Sequence, residues 1–224
     1  MEFKVCGLTN FEDATFAASR GAHALGFVFY EPSPRCADIN EIADFVIDLP
    51  RHIAKVGVFV DEDPARIHQI YKSCRLDFVQ LHGKESPQYC QELDLPYIKA
   101  FRVHEDFDFN LLGEYGSARG LLLDTYKKGL PGGTGESFNW SLLNKLDSKQ
   151  SVILSGGLGV HNVLEACKTG VAALDLSSSL ENEPGKKSHE KISALFAALG
   201  QTGRLDAACE YQSSIFNSNR ALRK

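Results

Sequence analysis

Several signals are missing from this chain, and each absence closes a class of function. No apolar run approaches the roughly 20 residues that a membrane-spanning helix needs. The first ten residues, MEFKVCGLTN, hold neither a basic segment followed by a long apolar stretch nor an Arg-rich amphipathic one. Neither a membrane nor export is therefore expected, and the expected location is the cytoplasm. Excess positive charge is also missing: 24 Lys+Arg against 29 Asp+Glu leave a net charge of -5, and lysines pair up only at 127–128 and 186–187. That balance gives no electrostatic footprint for nucleic acid, so a small-molecule partner is expected instead. Of the six cysteines (Cys6, Cys36, Cys74, Cys90, Cys167, Cys209), none forms a CxxC pair or joins histidines at metal-ligand spacing. No metal site is expected, and reduced thiols are favoured over disulfides. Cys74 and Cys167 fall on apolar helix faces and read as core.

What is present organises the chain by periodicity. The 224 residues, 43% hydrophobic and 24% charged, suit one sizeable core. Helical spacing of apolar residues occurs at Ile42, Phe45, Val46, Leu49; at Ile67, Ile70, Tyr71, Cys74; at Val160, Val163, Leu164, Cys167; and at Ile192, Leu195, Phe196, Leu199. Between such segments lie short, nearly continuous apolar runs beginning near 3, 24, 54, 77, 96, 120, 151 and 173. Strands buried on both faces of a parallel sheet read this way. Eight of them alternating with helices predict an α/β fold, a single (β/α)8 barrel over residues 1–200. A doubly wound open sheet competes, but no GxGxxG follows the first strand. Residues 201–224 fall outside the eight units; a frayed or partly helical tail is the plain expectation, a lid or subunit contact the functional one.

Active sites of such barrels lie at the C-terminal ends of the strands, so the residues ending each strand are the candidates. Strand one ends at Cys6, strand four leads into Gln80 and His82, strand five into Arg102, strand six ends at Asp124, and strand eight carries Asp175 before Ser177, Ser178 and Ser179. The run LLLDTYKKGLPGGTG at 121–135 is pointed: a carboxylate at the end of a buried strand is costly unless it is used. Three glycine- or serine-rich turns suggest anion binding: SGGLG at 155–159, opening a helix; DLSSS at 175–179; and PGGTG at 131–135.

In this order the blocks KVCGLT (4–9), LGFVFYEPSPR (25–35), KVGVFV (55–60), VQLHG (79–83), KAF (99–101), LLLD (121–124), GGTGESFNW (132–140), SGGL (155–158) and DLSSSLENEPGKK (175–187) resemble those of phosphoribosylanthranilate isomerases of tryptophan biosynthesis, over roughly residues 2–199. The resemblance implies an aldose–ketose isomerase, an intramolecular oxidoreductase. Its Amadori rearrangement converts N-(5-phosphoribosyl)anthranilate into 1-(2-carboxyphenylamino)-1-deoxyribulose 5-phosphate. It implies a small phosphorylated aminosugar as partner, a monomer or homodimer, and no cofactor, since the substrate nitrogen is the electron sink. By position, Asp124 matches the acid that protonates the ring oxygen and Cys6 the base that takes the C2 proton. Arg35 matches the arginine for the anthranilate carboxylate. His82, Gly133, Thr134, Gly135 and Asp175 fall in substrate blocks, and Gly156, Gly157, Ser177 and Ser178 in the phosphate blocks.

Those roles make a physical demand. Asp ordinarily titrates near about 3.9 and Cys near about 8.5, the reverse of what an acid and a base need at neutral pH. Burial beside Leu122 and Leu123 is expected to raise Asp124, and a nearby cation or the substrate iminium to favour the Cys6 thiolate. The plainer readings stand beside these: Cys6 as a small buried hydrophobe, Asp124 as a cap or turn residue, His82 as a loop hydrogen-bond donor. Lys4, two residues from Cys6, should share its face and pair with a carboxylate such as Asp175. The chain departs from the family at Ser179, where glycine is usual, and at Asn139, where aspartate is. A bifunctional barrel also serving the histidine pathway would carry Asp in place of Cys6. A non-catalytic barrel would have lost Cys6 or Asp124, and a ribulose-phosphate epimerase needs His and Asp metal ligands that are absent here.

Overall fold

The computed structural model describes residues 1–125, 139–146, 148–149, 151–200 and 214–216. Eight parallel strands close into a barrel in sequence order: β1 Glu2–Cys6, β2 Ala24–Val28, β3 Ala54–Phe59, β4 Phe78–Leu81, β5 Tyr97–Val103, β6 Gly120–Thr125, β7 Val152–Leu154 and β8 Ala173–Leu176. Closure runs through the β1–β8 pair, with Lys4 opposite Asp175. Around it lie α1 Phe11–Arg20, α2 Ile39–Phe45, α3 Pro64–Ser73, α4 Pro87–Glu92, α5 Val163–Ala166 and α6 His189–Gly200; 3-10 turns fill the positions after β5 and β6. Each of the first four helices starts where a side chain accepts from an orphan N–H: Asn10, Asp38, Asp63 and Ser86.

The two-residue period of a strand sorts its side chains between two cores. Phe3, Val5, Leu123 and Leu174 face the helices. Ala24, Val56, Phe78, Ile98, Ala100, Leu122 and Ala173 fill the barrel interior. By the same parity Glu2, Lys4 and Cys6 share the inner face of β1, at the floor, the middle and the mouth.

One expectation needs correction. Val160 and Leu164 are exposed, and the helix after β7 is the single turn α5, because the SGGLG loop and its Asn162 cross-links use up the chain before it. Most of residues 201–224 lie outside the described residues, but Ser214–Phe216 are neither helical nor a lid. Ile215 and Phe216, 3% and 4% exposed, belong to the interior cluster. Phe216 packs edge-on against Phe78 at 6.4 Å. Glu2 accepts hydrogen bonds from the Ile215 amide at 2.7 Å and the Ser214 hydroxyl at 2.5 Å. The chain thus returns to plug the N-terminal end of its own barrel.

Candidate active site

At the opposite end, the inner face of β1 meets β8 and β2. Lys4 Nζ donates to Asp175 Oδ1 at 2.9 Å, with side chains 0% and 6% exposed. Breaking one partner of so buried a pair typically costs about 3–5 kcal/mol. Burial works against the Lys4 charge, yet Asp175 and Cys6 outweigh it, and the ammonium titrates above its ordinary value. One residue nearer the mouth on this face, Cys6 packs with Val28 and Val58. A Cβ on Gly26 would lie 2.7 Å from its sulfur, so only glycine leaves room for the thiol there. Burial, the largest influence, pushes the Cys6 thiol up; Lys4 and Lys187 pull it down and Asp175 adds to the rise, with a net increase. The nearby cations expected to favour the thiolate do not by themselves overcome desolvation.

Asp124 sits above Leu122 on the inner face of β6, separated from β1 by β7 and β8. Its side chain is 21% exposed rather than buried. Of the two leucines expected to bury it, Leu122 shares its inner face but Leu123 faces the helices. His82 Nε2 stands 3.5 Å from Asp124 Oδ2, and Gln80 Nε2 lies 2.9 Å from His82 Nδ1. With Nδ1 accepting from that amide, the ring proton sits on Nε2, on the side of the ring nearest Asp124. The loop carrying His82 is held from outside the barrel: Lys99 Nζ donates to Glu85 Oε2 at 2.7 Å and to the Gly83 carbonyl at 2.9 Å, while Glu85 accepts from the Gly83 amide.

The turns after β7 and β8 are joined, since the Ser179 hydroxyl donates to the Leu158 carbonyl. Gly156 and Gly157 have φ of 87° and 63°, a conformation that other residues rarely adopt, and their N–H groups make no hydrogen bond among the described residues. Ser177 donates to the Cys6 carbonyl at 3.0 Å, and Ser178 opens a short 3-10 turn. The helix dipole expected behind this cradle is not available, since α5 has only four residues. Both family departures have local explanations. Asn139 caps its 3-10 turn by accepting from the Ser141 amide at 3.0 Å, as aspartate would, and Ser179 keeps a backbone that needs no glycine. Gly133, Thr134 and Gly135 lie outside the described residues.

Arg35 is held by residues that the sequence alone did not single out. Its Nε and Nη2 grip the carboxylate of Glu181 at 2.7–3.0 Å, and Lys187 Nζ reaches the same carboxylate at 2.7 Å. Glu181 and Lys187 are cross-strand partners in a hairpin, β9 Glu181–Glu183 with β10 Lys186–Lys187. The visible signal was ENEPGKK, a Pro-Gly turn between oppositely charged arms.

A closed barrel with a thiol, a His–Asp pair and an arginine at the C-terminal ends of its strands defines a class: a (β/α)8-barrel enzyme that moves protons on a small molecule. The family described as N-(5'phosphoribosyl)anthranilate (PRA) isomerase matches residues 3–198. N-(5'-phosphoribosyl)anthranilate isomerase of Pseudomonas putida (strain GB-1) is 42% identical over 200 residues, covering 88% of this chain and 97% of that protein. Among solved structures, phosphoribosyl anthranilate isomerase from Thermus thermophilus superposes with a TM-score of 0.82 at 36% identity, covering 90% of this chain and 100% of that one. Another phosphoribosyl anthranilate isomerase, solved with reduced 1-(o-carboxyphenylamino)-1-deoxyribulose 5-phosphate, has a TM-score of 0.77 at 34% identity, covering 89% and 99%. The chain belongs to the N-(5'-phosphoribosyl)anthranilate isomerase family, and its activity is the isomerisation of that aminoaldose in tryptophan biosynthesis.

Proposed function

We propose that Asp124 and Cys6 carry the two proton transfers of this Amadori rearrangement. Asp124 gives its proton to the ribose ring oxygen as the C1–O bond breaks and the nitrogen lone pair forms the iminium. Cys6, as thiolate, then takes the C2 proton, and the C–H electrons move to the iminium nitrogen to give the enolamine, which tautomerises to the ketose. The observation that carries the reading is the placement of the two groups on inner faces of opposite barrel walls, Cys6 between Lys4 and the mouth and Asp124 beside His82. Burial favours the thiol, so it is the developing substrate cation, with Lys4 and to a lesser degree Lys187, that favours ionisation. His82 orients Asp124. Arg35 takes the anthranilate carboxylate, and Gly156, Gly157, Ser177 and Ser178 take the phosphate. Asp175 spends one oxygen on Lys4 and turns its remaining acceptor capacity toward the sugar.

The partner in this reading is a phosphorylated aminosugar, and the compartment is the reducing cytoplasm. Cys6, Cys36, Cys74 and Cys90 are free thiols, which suits that compartment. The test follows the fluorescence decay of freshly generated phosphoribosylanthranilate with wild type, Cys6→Ser and Asp124→Asn. Each variant should lose turnover by about 10²–10⁴-fold with KM nearly unchanged. A variant that keeps a tenth of wild-type kcat removes that residue from the chemistry.

A further inference from the structure

The hairpin after β8 has no assigned task, yet it puts three charged side chains into one contact at the rim of the mouth. Glu181 is 6% exposed and Lys187 5%, which is costly for charges unless each is matched. Glu181 Oε1 accepts from Arg35 Nε at 2.9 Å and Lys187 Nζ at 2.7 Å; Oε2 accepts from Arg35 Nε at 3.0 Å and Nη2 at 2.7 Å. Lys187 Nζ also donates to the Ser177 carbonyl at 3.3 Å, and its amide donates to Asp13 Oδ2 at 2.9 Å. The turn of the hairpin is tied down as well, by the Thr9 hydroxyl donating to the Gly185 carbonyl at 2.7 Å. Gly7, next to Cys6, lies directly beneath: a Cβ there would meet Arg35 Cδ at 2.8 Å and Glu181 Oε1 at 3.4 Å.

A guanidinium offers a carboxylate two edges, the Nε–Nη2 side and the Nη1–Nη2 end. Here the side edge is taken, Nη1 makes no hydrogen bond among the described residues, and the side chain stays 19% exposed. Surface arginines have mobile heads; this one is gripped by a carboxylate that a second cation keeps ionised. Arg35 and Lys187 together hold Glu181 below the usual carboxylate range against the opposing effect of burial.

We propose that Glu181 and Lys187 are positioning residues for Arg35: their pair clamps the guanidinium by its Nε–Nη2 edge, so that its Nη1–Nη2 edge is presented, already oriented, to the aryl carboxylate of the substrate. The proposal rests on Arg35 being the carboxylate-binding residue. The clamp lowers the entropy that Arg35 would otherwise lose on binding, so its loss weakens binding rather than slowing chemistry.

The experiment measures kcat, KM and melting temperature for Arg35→Ala, Glu181→Gln, Lys187→Met and the double variant Arg35→Ala/Glu181→Gln. Expected are a KM raised about tenfold or more by Glu181→Gln with kcat within about threefold, a smaller rise for Lys187→Met, and a double variant no worse than Arg35→Ala alone. KM unchanged in Glu181→Gln, or raised independently of Arg35, overturns the clamp. If Arg35→Ala itself leaves KM unchanged, the carboxylate role of Arg35 fails instead. Should Glu181→Gln not fold, Glu181→Asp keeps the charge on a shorter arm. A KM equal to wild type in that variant also overturns the proposal, and a raised KM that vanishes in the Arg35→Ala background supports it.

Discussion

The two ends of the barrel solve opposite problems with the same strands. At the floor, Glu2 begins the inner face of β1, and both its oxygens are taken up by the returning chain at Ser214 and Ile215. Apolar side chains fill the space above: Ile215, Phe216, Phe78 and Leu122. At the mouth, four residues further along β1, Cys6 lies beside the Lys4–Asp175 pair, Gly7 lies against Arg35 and Glu181, and Asp124 faces His82. Glu2, in other words, has its oxygens satisfied by backbone and hydroxyl donors, whereas the mouth groups are set against one another in side-chain pairs that leave capacity for a substrate. The same strand therefore carries a stability determinant at one end and chemistry at the other, as expected of these barrels.

This contrast breaks first if a mouth residue proves structural. Cys6→Ala should lower kcat by about 10³-fold while shifting the melting temperature by only about 2 °C, read by the fluorescence assay beside a thermal melt. Next in size is the floor. Phe216→Ala should cost about 3–5 kcal/mol in urea unfolding, because the cavity it leaves lies inside the barrel, where the surrounding strands cannot close it. Its kcat/KM should stay within about twofold at a temperature where it is folded; a tenfold drop would mean that floor and mouth are coupled. Glu2→Gln should cost less, about 1–3 kcal/mol, since it weakens two charge-assisted bonds and leaves the packing in place.

The pH dependence sharpens the comparison. Burial raises the Cys6 pKa in the folded state, so its contribution to stability is fully present below about pH 8.5 and is lost as pH climbs through the folded value. Activity runs the other way, with kcat/KM rising over the same alkaline window as thiolate appears. Cys74, buried in the helical layer and pushed up to about 11, adds a similar alkaline loss of stability with no effect on catalysis. Denaturation followed from pH 8 to 10 should show a shallower slope in Cys6→Ala, with the Cys74 share intact. The smallest effect is at Ser179. Replacement by glycine removes one hydrogen bond to Leu158 and should change KM by less than about threefold.

Much of this was readable in one dimension. The eight strand starts fall within one residue of the expected positions because strands buried on both faces read as short, mostly apolar runs. Cys6, Asp124 and His82 were visible because strand ends are where a barrel places its chemistry. The helix after β7 was misjudged: Val160 and Leu164 kept a helical spacing although they are exposed, since periodicity records where apolar residues fall and not whether a neighbour covers them.

Local physics, then, is what the sequence determined alone: which runs become strands, that they alternate with helices, and which polar groups end them. Only the tertiary structure decided that Glu181 grips Arg35 across 146 residues of chain and that Ile215 and Phe216 seal the floor, whereas the Lys4–Asp175 pair was expected from the two-residue strand period. Such pairings depend on barrel closure, which brings the last strand beside the first. They decide how charge is shared at the mouth because burial makes a charge costly until the fold supplies its partner.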